Sequence, residues 1–210
     1  MEYSAFVEKV MTLVAGIDPG NNGAVAIYDP ETRQLVSIED LPFWYMTVGK
    51  KKRKRIDTIG LMEMFDMLNL MGVGLVVLEA VGGRPRQSAS SGFVFGYTVG
   101  LIYMACMYSK IMVETVPPQK WKKILAVPGK QGGKDRAAQK QAEGEIINRA
   151  QELFPHNRDM FRSERGAWKM DRADAALLAK FGGDHVLRTM GPLTGDEEYK
   201  LAYRNAETGA

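Results

Sequence analysis

Apolar and polar positions change period several times along the chain, and each change predicts an element. Residues 13–18, 23–29 and 34–39 are short runs rich in aliphatic side chains, separated by Pro19-Gly20-Asn21-Asn22 and Pro30-Glu31-Thr32-Arg33. Clusters of Pro, Gly and Asn between such runs turn the chain, so the three predict an antiparallel meander. A helix is expected from the capping residue Asp57 or Thr58, since Ile59, Met62, Phe65, Met67 and Leu68 recur near helical spacing up to Gly72. Leu75-Val76-Val77-Leu78-Glu79 follows as a continuous apolar run, the pattern of a strand covered on both faces. A loop over 82–88 then leads to a helix over 90–109 and a strand over 111–116, stopped by Pro117-Pro118.

Further along, the spacing predicts a short helix over 118–125, a Gly-rich loop over 127–133 and a long helix over 134–154 that ends at Pro155. A last helix over 168–181 is expected to close at Gly182-Gly183. Strands alternating with helices after a meander give an α/β fold: a mixed central sheet, three antiparallel strands joined by parallel ones, flanked by helices. One domain over 13–183 is expected, with an N-terminal extension over 1–12 and a C-terminal tail over 184–210, where periodicity is lost. No internal repeat is visible.

Composition bounds this picture without changing it. The 210 residues, 45% hydrophobic and 25% charged, suit one well-filled core. A single cysteine, Cys106, excludes an intramolecular disulfide and a Cys-rich zinc site. Its neighbours Ile102, Tyr103, Met104 and Met107 predict a buried structural thiol, consistent with a reducing, cytoplasmic setting. The first ten residues hold Glu2, Glu8 and Lys9 and no long apolar run, so neither a signal peptide nor a membrane partner is expected. A net charge of +3 is too small to establish a nucleic-acid partner by itself.

The acids are more informative. In the last helix, positions 171, 174, 178 and 181 read Asp, Asp, Leu, Phe, so two carboxylates head the apolar stripe. Side chains three apart on a helix are neighbours, and the two charges repel unless a cation lies between them. The bland alternative makes Asp171 an early-turn acid favoured by the helix dipole and Asp174 half-exposed. Asp18, taken alone, reads as a turn residue satisfying backbone amides. Yet Asp18 and Glu79 each end a strand, and parallel neighbours would bring them to the sheet edge where α/β folds place their sites. Four acids from three segments would then converge, an arrangement costly to bury without compensating charge. Oxygen ligands without suitable Cys or His favour Mg²⁺ or Mn²⁺, and two such ions about 3.5–4 Å apart would clamp a phosphodiester.

Gly16-Ile17-Asp18-Pro19-Gly20 with Gly23-Ala24, Val77-Leu78-Glu79, and Asp171-Arg172-Ala173-Asp174-Ala175 together resemble the RuvC family of Holliday-junction resolvases, within the RNase H-like nucleases. The likeness is greatest to the RuvC-like branch common in phages, and spans about residues 14–181. The resemblance implies that Asp18, Glu79, Asp171 and Asp174 are catalytic metal ligands, and that Lys134 lies near the scissile phosphate. It implies a cytoplasmic homodimer, bacterial or phage-encoded, that uses Mg²⁺ to nick two opposed strands of a four-way DNA junction, with no nucleotide cofactor. One departure is clear: cellular resolvases carry an aromatic wedge shortly after the strand glutamate, where this chain has Gly82-Gly83-Arg84-Pro85-Arg86.

Candidate DNA contacts fall in three places. Lys51, Lys52, Arg53 and Lys54 belong to a run of six cations over 50–55, read either as a solvated loop or as a phosphate-binding one. Phe43, Trp44 and Tyr45 beside it could stack on bases, although packing under the loop is the expectation. Arg84 and Arg86 follow Glu79 closely, while Lys120, Lys130 and Lys134 surround the Gly-rich loop. The helix beginning near Ser90 offers Val94, Thr98, Leu101 and Ile102 as a dimer surface, with Phe93 and Phe95 expected to bury. Two rival readings are an actin-like ATPase or sugar kinase, from the early Asp-x-Gly, and a module that grips branched DNA without cutting it.

Overall fold

The computed structural model describes residues 13–20, 22–49, 51–80, 88–127 and 136–188. Three antiparallel strands come first: β1 (Leu13–Asp18), β2 (Ala24–Asp29) and β3 (Gln34–Asp40). A second hairpin follows, β4 (Phe43–Val48) and β5 (Lys51–Ile56), which forms its own two-stranded sheet. Helix α1 (Thr58–Met71) then leads to β6 (Val73–Glu79), helix α2 (Ala89–Tyr108) and β7 (Met112–Val116). The remaining described elements are α3 (Pro118–Ile124), α4 (Arg136–Leu153), a 3₁₀ turn (Arg158–Phe161), α5 (Met170–Phe181) and a π-helical segment (Gly182–Leu187). The main sheet has the order β3-β2-β1-β6-β7, with β6 parallel to both β1 and β7. This is the mixed sheet that the periodicity predicts.

Alternation along the strands assigns each residue to a layer. Ala15 and Ile17 of β1 and Val76 and Leu78 of β6 pack with Leu61, Phe65 and Leu68 of α1 and with Ile102 and Ala105 of α2. Val14 of β1 and Leu75 and Val77 of β6 face the other way, toward Trp121, Ile146, Ala150 and the alanines of α5. One further step of the alternation puts Asp18 and Glu79 on the α5 side.

Glycine decides how near α5 comes to that side. A Cβ on Gly16 would fall on the backbone of Ala175 and Ala179, so only glycine admits the helix at this depth. Ala173, Ala175, Ala176 and Ala179 are fully buried in the same contact.

Two elements differ from the sequence expectation. The basic run is not a loop but strand β5, whose partner β4 supplies Phe43-Trp44-Tyr45-Met46-Thr47-Val48. Its charges hide the strand because no apolar alternation survives, yet a two-stranded ribbon that reaches into solvent tolerates cations along its length. The pair Gly182-Gly183 does not close the last helix. Both glycines keep helical course, and added Cβ atoms would meet Val14 and Val77 at one and Tyr28 and Pro30 at the other. Here glycine serves close packing of a π-helical turn rather than chain termination.

Candidate active site

Asp18 ends β1 and turns at once: its Oδ1 accepts the Gly20 amide at 3.0 Å, and Gly23 N–H donates to the Gly20 carbonyl at 2.9 Å. The turn reading of Asp18 is therefore correct as far as it goes. Glu79 ends β6 at the same edge, one residue beyond the register pair Ile17 and Leu78. Asp171 lies in the first turn of α5, and Asp174, only 7% exposed, lies one turn further along the same face.

These four carboxyls share one space. Burial pushes the Asp18 carboxyl well above the ordinary carboxylate range, and the negative charges of Asp174, Asp171 and Glu79 push it the same way. Asp171 is also raised, by burial foremost, and is hydrogen-bonded to Asp18. The crowding of like charge around Asp18 marks a place where positive charge is wanted. Gly20 keeps the approach open, since a Cβ there would lie 3.2 Å from Asp18 Oδ1 and 3.7 Å from Asp171 Oδ1. Glu79 is oriented from α3: Trp121, fully buried, donates its indole N–H to Glu79 Oε1 at 3.3 Å.

The donor set fits a hard divalent cation, being all carboxylate oxygen. It is not a finished cage, because among the described residues no group of three or more His, Cys, Asp or Glu side chains is arranged to hold an ion. The like charges of these acids repel, and a cation's charge is what would offset that repulsion.

Cations rim this acidic centre. Asp40, at the end of β3, pairs with Arg172 Nε at 2.7 Å and with Lys169 Nζ at 3.2 Å. Arg172 also donates to the carbonyls of Met160 and Arg162, which fixes the start of α5 to the 3₁₀ turn. Lys54 reaches in from β5 and donates to Asn22 Oδ1 at 3.0 Å, with its ammonium 4.1 Å from the Phe43 ring centre. Sequence reasoning gave no role to Asp40, Lys169 or Asn22. Their only signal is position: Asp40 ends its strand as Asp18 and Glu79 end theirs.

The remaining candidates separate. Lys52 and Arg53 are exposed on β5, and Arg53 donates to Ser90 Oγ at 3.3 Å. Lys51 pairs through its backbone with Val48. Lys120 is exposed on α3, next to the tryptophan that holds Glu79. Arg84, Arg86, Lys130 and Lys134 lie outside the described residues. On α2, Thr98 and Ile102 are buried in the fold and cannot serve a dimer surface. Phe93 is 74% exposed instead of buried, and Tyr97, Met104, Met107 and Tyr108 are exposed with it. Val94 and Leu101 of the same expected surface are half-buried, and pattern gives no guide to which face turns outward because both are apolar.

A cavity of about 420 Å³ between β2, β3 and α1, lined by Val25, Ile27, Glu39, Met64 and Met67, opens on the other side of the sheet and holds none of the four acids.

No family model matches the sequence, and no curated protein does either. Solved structures do. RuvC of Thermus thermophilus in complex with a Holliday-junction substrate superposes with a TM-score of 0.55 at 16% identity, covering 86% of this chain and 99% of that one. Fowlpox virus resolvase, solved with junction DNA, gives a TM-score of 0.47 at 18% identity, over 83% of this chain and 99% of that one. The yeast mitochondrial Holliday-junction resolvase gives 0.46 at 14% identity, over 99% of this chain and 87% of that one. The match to the Thermus protein shows that this chain shares its fold.

Proposed function

We propose that this chain is a structure-selective endodeoxyribonuclease that resolves four-way DNA junctions and other branched DNA by nicking opposed strands. The observation that carries the reading is the convergence of Asp18, Glu79, Asp171 and Asp174 on one sheet edge, in the fold of a protein crystallised with a Holliday junction. Asp18, Glu79, Asp171 and Asp174 would hold Mg²⁺ or Mn²⁺, two ions per site. Bound there, the metal supplies Lewis-acid charge at a phosphodiester and lowers the pKa of an attacking water. The chain's own residues do the rest. Strand ends β1 and β6 fix two carboxylates rigidly, Trp121 orients Glu79, and the Asp40–Lys169–Arg172 cluster anchors the start of α5, with Asp171 and Asp174 in its first turns. Lys52, Arg53, Lys54 and Lys120 are the described cations placed to meet phosphates, and Lys51, Arg84, Arg86, Lys130 and Lys134 extend that set by sequence.

Paired nicks require two sites, so the active species is a homodimer. Its interface is the exposed apolar face of α2, with Phe93, Tyr97, Met104, Met107 and Tyr108. By length and composition α2 would also cross a membrane. Membrane insertion is disfavoured, because α2 connects β6 to β7 of one sheet and buries Thr98, Ile102, Ala105 and Cys106 against it. A cytoplasmic setting, in a bacterium and on a host or phage gene, is part of the same proposal. Nothing favours nucleotide turnover: Gly182 and Gly183, the pair that would have to act as a second phosphate loop, are buried against Val77 and Tyr28.

Asp174→Asn separates binding from chemistry. Removing one of four like charges leaves the DNA surface intact while damaging the metal site, so junction binding in a gel shift should persist. Nicking should fall by at least about a hundredfold, the order expected when a metal site is compromised. Wild-type cleavage by this variant would refute the site.

A further inference from the structure

The β4–β5 hairpin is the one described element whose composition the fold does not explain. Five of the six residues of β5 are cationic, Lys51-Lys52-Arg53-Lys54-Arg55, and β4 sets Tyr45 opposite Lys54 and Trp44 opposite Arg55. Cross-strand partners share a face of the ribbon. Phe43 and Ile56 form the root pair, with Ile56 buried in the core and Phe43 packed against it. Next on that face come Tyr45 and Lys54, and on the other face Trp44 and Arg55.

Packing accounts for the root but not for what lies beyond it. Tyr45 is 65% exposed and Trp44 49% exposed, in a region where burial of either would be favourable. The ribbon is held in place at its flanks. Lys54 donates to Asn22, in the turn that follows Asp18, and Arg53 donates to Ser90, at the start of α2. The ammonium of Lys54 also lies within the field of Asp171, Asp40 and Lys169. Tyr45 therefore stands beside a cation that borders the acidic centre. An aromatic ring next to a phosphate-binding cation, present once on each face of the ribbon, is the chemistry that grips unpaired nucleotides: rings stack on bases while cations follow the backbone. A duplex offers phosphates but no free base faces, so the aromatics select for single-stranded DNA.

We infer that the β4–β5 hairpin is a single-strand binding element, in which Tyr45 stacks on an unpaired base of branched DNA while Lys54 holds the adjoining phosphate beside the carboxylates. It rests on the nuclease reading for its place in a reaction, but not for its binding chemistry.

Binding of the full-length protein to a fluorescein-labelled single-stranded DNA oligonucleotide, titrated in EDTA at several salt concentrations, tests this without any cleavage. Tyr45→Ala should weaken binding about tenfold, within the range for losing one base stack, with the salt slope unchanged. Tyr45→Phe should restore it. Lys54→Ala should instead flatten the slope by about 0.7, one phosphate contact on a single strand. Wild-type affinity in Tyr45→Ala, no rescue by phenylalanine, or no single-strand binding by the wild type would each overturn the inference. Failure of the nuclease reading shows separately, as junctions left uncut by the wild type with Mg²⁺. Circular dichroism melts of each variant check that the exposed substitutions leave the fold intact.

Discussion

Asp18 shows how one residue serves structure and chemistry together. Its carboxylate caps its own turn through the Gly20 amide, and the same carboxyl meets three other acids. The ordered acids were legible in the sequence because each ends a strand or heads a helical stripe, and such positions follow from local periodicity. Lys169 and Asp40 were not legible as site neighbours, since residues 129 positions apart meet only through the tertiary fold. Gly16 was quoted as part of a motif, but its reason is geometric: it lets α5 rest on β1. Gly16→Ala should cost at least about 3 kcal/mol in a urea melt, at or above the usual range for overpacking, because backbone rather than a mobile side chain stands in the way. Gly144→Ala in α4, where an added Cβ meets nothing within 4 Å, should instead gain up to about 1 kcal/mol from helix propensity. Equal effects at the two glycines would remove the close-approach argument.

At the scale of elements, the sequence reveals those whose burial is periodic and hides those held by other means. Strands β1, β2, β6 and β7 and helix α1 follow the expected ranges closely. Strand β5 was missed because charge masks it, and the π-helical segment Gly182–Leu187 because its glycines imitate a stop. That last segment is pinned by polar contacts: Asp184 accepts from Lys180 at 2.8 Å and from the Tyr28 hydroxyl at 3.0 Å. Burial pulls the Asp184 carboxyl upward, but the hydrogen bond and charge of Lys180 outweigh it and hold the group below its ordinary value of 3.8. A carboxylate with a depressed folded pKa stabilises the fold above its unfolded value, and that contribution is lost as pH falls through the folded one. Asp184→Asn should therefore lower stability by about 1–3 kcal/mol at pH 7, and the deficit should shrink below pH 3.8. Thermal melts of both proteins across that range decide it. A deficit independent of pH would mean that the contact works by shape and not by charge.

At the scale of the whole molecule, the division of labour follows the sheet. One face, with α1 and α2, builds core and leaves Phe93, Tyr97, Met104, Met107 and Tyr108 exposed on α2. The other, with α3, α4 and α5, brings carboxylates to the strand ends, and the basic hairpin flanks the opening. Fold class, a mixed sheet of an antiparallel meander and parallel strands flanked by helices, could be read from pattern alone. The face that α2 turns outward could not, because a helix apolar all round gives no directional signal. The most direct test of the account is to incubate the wild-type protein with a four-way junction labelled on each strand in turn, in Mg²⁺ and in EDTA, with linear duplex and ATP alongside. The account predicts paired nicks in opposed strands of the junction, abolished by EDTA, with the duplex and ATP left unchanged. An intact junction in Mg²⁺, or ATP turnover without DNA cleavage, would contradict it.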